Sequence, residues 1–113
     1  MEQSEPLEVK LTAPSATEAR RLGDLALERR LAACAQVSGP VDSSYWWNGE
    51  IATATEWTCT LKTTGSRLSA LLEAVRAAHP YEVPEILVTA VVGGDADYLA
   101  WIRAETDPAG GPG

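Results

Sequence analysis

The dipeptide Asn48-Gly49 stands between two long runs of strand character, and it constrains the fold more than any other feature of the chain. Both central positions of a two-residue type I′ turn need positive φ, which Asn and Gly tolerate best, so the pair predicts a β-hairpin. Beyond it, Ile51, Thr53, Thr55, Trp57, Cys59 and Leu61 share one face, and Ala52, Ala54, Glu56, Thr58, Thr60 and Lys62 the other. Residues 51–62 are long for one strand, and neither face is wholly apolar. A hairpin protruding beyond its own domain is expected, with edges that need a cover such as a second subunit. Before the turn, LAACAQV (31–37) and SSYWWNGEI (43–51) are strand pieces joined through a bend at Gly39-Pro40.

This hairpin also settles the expectation for the two cysteines. Partners across a two-residue turn at 48–49 sum to 97, which sets Cys34 opposite Thr63 and Cys59 opposite Ser38. An offset of four residues is roughly 13 Å along the strands, beyond the ~7 Å a disulfide spans. A bulge at Gly39-Pro40 alters the count by about one residue. Two free thiols in a reducing compartment are expected.

Upstream, Leu7, Val9 and Leu11 alternate with Glu8, Lys10 and Thr12, the period of a half-buried strand that Pro14 ends. Ser15 is an N-cap with Glu18 as its capping-box partner, and Ala19, Leu22, Leu25 and Ala26 form the apolar stripe of a helix running to about Arg30. Residues 66–78 give the clearest helix, with Leu68, Leu71, Leu72 and Val75 on one face. The apolar run ILVTAVV (86–92) reads as a central strand buried on both faces. After Gly93-Gly94-Asp95, ADYLAWIRAET predicts a short helix docking through Tyr98, Leu99, Trp101 and Ile102. The order β-α-β-β-α-β plus a terminal helix is the α+β ferredoxin-like plan, an antiparallel sheet with helices on one face.

A chain of 113 residues has room for one domain, expected over 1–106, and the tail DPAGGPG (107–113) is too rich in Pro and Gly to order itself. The formal net charge of -7 and the dispersed basic residues argue against nucleic acid as a partner. The polar start MEQSEPLEVK and the lack of any apolar run near the length of a membrane span argue against a membrane, and predict a soluble cytoplasmic protein.

The stretch HPYEVPEI (79–86) holds the only histidine between stiffening prolines. Proline drives the preceding residue out of the helix, so His79 closes the helix and suits its negative end. Alternatively His79 ligates copper, zinc or nickel with Glu82 or Glu85, drawing further donors from Cys34, Cys59, water or another subunit. No catalytic residues are expected. Strand cysteines are not activated nucleophiles, and no phosphate loop, His-Glu-x-x-His motif or nucleophile elbow is present. Trp46, Trp47, Trp57 and Trp101 are core residues or, on the hairpin, interface anchors. Lys62 is expected to pair with Glu56, Glu82 or Glu85.

LAACAQV, YWWNGEI, LKTT, HPYEVPEILV and DYLAWI, in that order across residues 9–105, resemble the CutA family of divalent-cation-tolerance proteins. The resemblance implies a ferredoxin-like subunit in a tight homotrimer, similar to the PII signalling proteins, with hairpins extending onto neighbouring subunits. It also implies tolerance to copper and other divalent metals, copper binding in some members, and no enzymatic activity. Of the copper ligands proposed for bacterial members, only His79 has a counterpart, because Leu11 stands at the cysteine position and Ala78 at the first histidine of a pair. Three roles remain open. One is a metal-response protein holding copper or another divalent cation through His79 and Glu85. Another is a PII-like signalling or scaffold trimer, binding a small anionic metabolite or a partner protein in inter-subunit clefts lined by Trp47, Lys62, Tyr81 and Glu85. The last is a trimer whose motifs serve assembly alone.

Overall fold

The Asn48-Gly49 turn forms as its chemistry requires, with φ of 51° at Asn48 and 80° at Gly49. In the computed structural model, which describes residues 2–108, the order is β1 (Pro6–Ala13), α1 (Ala16–Glu28), β2 (Cys34–Trp47), β3 (Glu50–Thr64), α2 (Gly65–Ala78), β4 (Ile86–Ala90) and α3 (Ala96–Glu105). The strands pair antiparallel in the order β2-β3-β1-β4, which is the ferredoxin-like sheet. Ser15 caps α1 by accepting from the Glu18 amide at 3.1 Å, which is half of the expected capping box; the Glu18 carboxylate accepts from Arg21 instead.

Along the hairpin the expected register holds from Trp47↔Glu50 to Val41↔Glu56, then shifts between Val41 and Ser38. Gly39 and Pro40 together stand against Trp57, so Cys34 faces Lys62 and Cys59 faces Val37. The cause lies in packing: a Cβ on Gly39, whose φ is +156°, would come within 2.7 Å of the Trp57 ring, and the bulge gives that indole its space. Both cysteines are free. Burial pushes the Cys59 thiol up to about 11, so it behaves as a small core hydrophobe.

One sheet face carries the core. Val9, Leu11, Cys59 and Leu61 pack against Ala19, Leu22 and Ala26 of α1 and Leu71 and Val75 of α2. The even-numbered residues of β1 and β3, including Glu8, Lys10, Glu56 and Lys62, point to the other face, which α1 and α2 leave uncovered. Three expectations need correction here. The run 86–92 is an edge strand and not a central one: β4 pairs only with β1, Leu87 is 55% exposed and Val92 is fully exposed. In α3 only Ile102 is fully docked, whereas Tyr98 and Trp101 stay 42% exposed. Lys62 pairs with Glu8 of β1, its cross-strand neighbour, and not with Glu56, Glu82 or Glu85. Of the tail expected from residue 107, residues 109–113 lie outside the described residues.

The hairpin runs past the end of β1, since Ala13 pairs with Trp57 while the strands continue to Trp47 and Glu50. The described residues consequently extend 48 × 26 × 23 Å. This overhang and the incoming 79–85 corner frame the candidate site.

Candidate functional site

The corner is built on His79. It caps α2 in an extended conformation (φ -73°, ψ 138°), as a residue before proline must. Its ring turns inward and is 9% exposed, with Nε2 2.6 Å from the Thr12 carbonyl oxygen. A carbonyl only accepts, so Nε2 carries the proton; Nδ1 then accepts the Tyr81 amide at 3.0 Å. The ring also lies against Tyr81, with centroids 4.9 Å apart. An Nε2-protonated imidazole so bonded has no spare lone pair. His79 therefore ties the chain after α2 to the end of β1 and fixes where Tyr81 stands.

Tyr81 faces a cleft of about 730 Å³ between this corner and the overhanging part of the hairpin. Pro80, Tyr81, Glu82, Val83, Pro84 and Glu85 form one wall; Ser43, Ser44, Tyr45, Trp47 and Glu56 of the hairpin form the other, with Thr12 between them. Tyr45, Trp47 and Glu56 converge because strand alternation sends all of them to the face opposite α1 and α2: Tyr45 pairs with Ala52, Trp47 with Glu50 and Val41 with Glu56. Glu56 is only 8% exposed and lies close enough to the Tyr81 hydroxyl to act on its proton. Burial, then the Glu56 carboxylate, push the Tyr81 phenol up to about 12.

The native phenol thus holds its proton longer than the unfolded chain does. Its contribution to stability is present below the ordinary value of 10.0 and is lost as pH rises from there to about 12. The difference in phenolate absorbance between wild type and Tyr81→Phe should show Tyr81 ionising late. In a Glu56→Gln background it should ionise earlier. Equal titrations in both backgrounds would remove Glu56 as a cause.

The expected cleft residues divide. Trp47, Tyr81 and Glu85 line one cavity, and Lys62 does not. Lys62 pairs with Glu8 further along the sheet, near Cys34 and beneath Tyr98 of α3. The Tyr98 phenol is raised by burial and by the neighbouring Cys34 thiol. The candidate ligands His79 and Glu85 do not share an ion-sized space. His79 spends both ring nitrogens on the backbone, and the Glu85 carboxylate pairs with Lys10 at 3.2 Å. Leu11 is fully buried in the core, and among the described residues no group of three His, Cys, Asp or Glu side chains is placed to hold a metal ion. Within one chain these donors do not fit a divalent ion.

Glu56, Tyr45 and Thr12 are the cleft residues that sequence reasoning passed over. For Glu56 a signal was available: it is the one acid among residues 52–62 on its strand face.

An antiparallel ferredoxin-like sheet with an overhanging hairpin, and an acidic aromatic cleft beside that overhang, define a small α+β domain. The chain belongs to the CutA family: the sequence pattern described as "CutA1 divalent ion tolerance protein" matches residues 7–105. It is 42% identical over 100 residues to the divalent-cation tolerance protein CutA of Citrobacter koseri, covering 88% of this chain and 87% of that one. Its fold is similar to the crystal structure of CutA1 from Oryza sativa, with TM-score 0.88, 35% identity, and coverage of 92% of this chain and 95% of that one. It is also similar to CutA from Xylella fastidiosa, with TM-score 0.88, 31% identity, and coverage of 91% and 99%. No helix among the described residues is long and apolar enough to cross a membrane.

Proposed function

We propose that this chain is a cytoplasmic, non-enzymatic binding protein that works as a homotrimer of PII-like architecture and serves divalent-cation tolerance by holding a small ligand in the Tyr81 cleft. The observation that carries this reading is the cleft itself: about 730 Å³, within the size range of small-molecule sites, with aromatic walls and a few polar groups. The assembly is supported by the unpaired outer edges of β2 and β4 and by Trp46, Ile51 and Leu87, large apolar side chains left in water. Free cysteines agree with a reducing compartment. A binding role in preference to catalysis is supported by the raised, buried Cys59 thiol and by a histidine whose nitrogens are both committed.

Two further readings belong to this proposal. Lys62 joins the cleft only if a second copy brings it there, since its own chain holds it on Glu8. Copper or another divalent ion at His79 and Glu85 would require donors from a second copy and the release of the Tyr81 amide. The test is a thermal-shift and tryptophan-fluorescence screen over nucleotides, carboxylates, amines and divalent metals. A true ligand at a hundred times its Kd stabilises by about 2.7 kcal/mol, and it should perturb the Trp47 emission. A stabilisation that survives unchanged in Trp47→Leu would place the ligand outside the cleft and refute this reading.

A further inference from the structure

We propose that the cleft selects an organic cation, an alkylammonium or polyamine, held by the carboxylate of Glu56 and the ring faces of Tyr45, Trp47 and Tyr81. The inference rests on the cleft being a ligand site, and it names the ligand's class. The lining contains Glu56, Glu82 and Glu85 and three aromatic side chains, and no Lys or Arg. Two cations touch cleft residues, and each has a partner there: Lys10 pairs with Glu85, and the Arg76 guanidinium donates to the Glu82 carbonyl at 3.2 Å.

Glu56 makes this more than an acidic patch. It is more than nine-tenths buried, it lines the cavity, the side chain beside it is the neutral Tyr81 phenol, and among the described residues it has no ion-pair partner. A carboxylate offers about four lone-pair directions, so most of its accepting capacity is turned towards whatever occupies the cleft. Burying a charge without a counter-charge is costly, and a cationic guest would remove that cost. The Lys10 ammonium on Glu85 is a built-in example of the same contact at the rim.

The aromatic walls decide between kinds of cation. A bare divalent ion needs several oxygen, nitrogen or sulfur donors converging on one point, and the three cleft carboxylates are not placed to share an ion. An alkylammonium is bulkier and less strongly hydrated than a bare divalent ion, and it is attracted to the negative faces of Trp and Tyr, so it uses the walls that a metal cannot. Within one chain an anionic metabolite would meet three carboxylates and no lining cation; a Lys62 brought in by a second copy is the arrangement that citrate or ATP binding would reveal.

Isothermal titration calorimetry on the purified full chain, with spermidine and tetraethylammonium as probes and citrate, ATP and zinc chloride as comparators, tests this directly. The ammonium probes should bind, weaken with added salt, and lose about tenfold or more in affinity in Glu56→Gln and separately in Trp47→Leu. Trp47 is half exposed and its replacement spares the core, which keeps the test valid if Glu56→Gln folds poorly. Citrate or ATP binding that Trp47→Leu abolishes would keep the cleft as a ligand site and overturn the cation assignment. Zinc that displaces the ammonium probes with tighter affinity would also overturn it, in favour of a metal. Ammonium binding indifferent to both variants, or no heat with any compound, would overturn the assignment and the cleft reading together.

Discussion

Replacing Trp46 and Ile51 together by serine should convert the homotrimer proposed above to single chains while leaving each chain folded. The two residues are cross-strand partners beside the turn, 72% and 65% exposed, on the hairpin face opposite Tyr45 and Trp47. Neither belongs to the cluster formed by α1, α2 and the sheet, so the chain has no internal reason to keep them apolar. Side chains of this kind act as interface anchors, and truncating a buried tryptophan anchor costs roughly 2 to 4 kcal/mol. In a closed ring that loss recurs at every interface, which is enough to break a micromolar or tighter assembly. Light scattering coupled to size exclusion reads the mass, and far-ultraviolet circular dichroism reads the fold. An unchanged mass would mean that the hairpin tip is not an interface element. A lost fold would mean that it stabilises its own subunit.

The same hairpin shows where sequence reasoning reaches. The turn, the alternation of residues 51–62 and the capped start of α1 were legible because each depends on neighbours a few positions apart. The one-residue slip at Gly39-Pro40 was legible as a place but not as a direction, since it takes the Trp57 indole to decide which strand carries the extra residue. β4 was misread for a physical reason: ILVTA is apolar whether its own sheet or a second copy covers it, and composition does not distinguish the two. Lys62 could not be assigned a partner without the pairing of β1 with β3, which brings Glu8 across from a position 54 residues away. Glu56 entered only as a partner for Lys62, and its place in the cleft depends on the corner reaching the overhanging part of the hairpin.

His79 was legible as a residue of consequence, and the consequence differs from the one its chemistry first suggests. His79→Ala should destabilise each subunit by about 3 kcal/mol: it strands the Thr12 carbonyl and the Tyr81 amide, each costing about 1–3 kcal/mol if left unpaired, with water entry recovering part of that. Thr12 is 5% exposed, so little water reaches its carbonyl. The loss of the ring also frees Tyr81, so ligand affinity in the cleft should fall with stability although His79 does not line it. His79→Gln separates this from a ligand role. Its amide can donate to Thr12 and accept from Tyr81, so it should restore part of the stability and cleft affinity, whereas an amide replaces imidazole poorly on copper or zinc. Urea denaturation and metal titration of the three proteins therefore diverge. If both variants lose metal binding while neither loses stability, His79 is a ligand. If stability and cleft affinity fall in alanine and recover in glutamine, its work is to hold Tyr81 against Glu56, and any bearing of this chain on metal tolerance passes through the cleft.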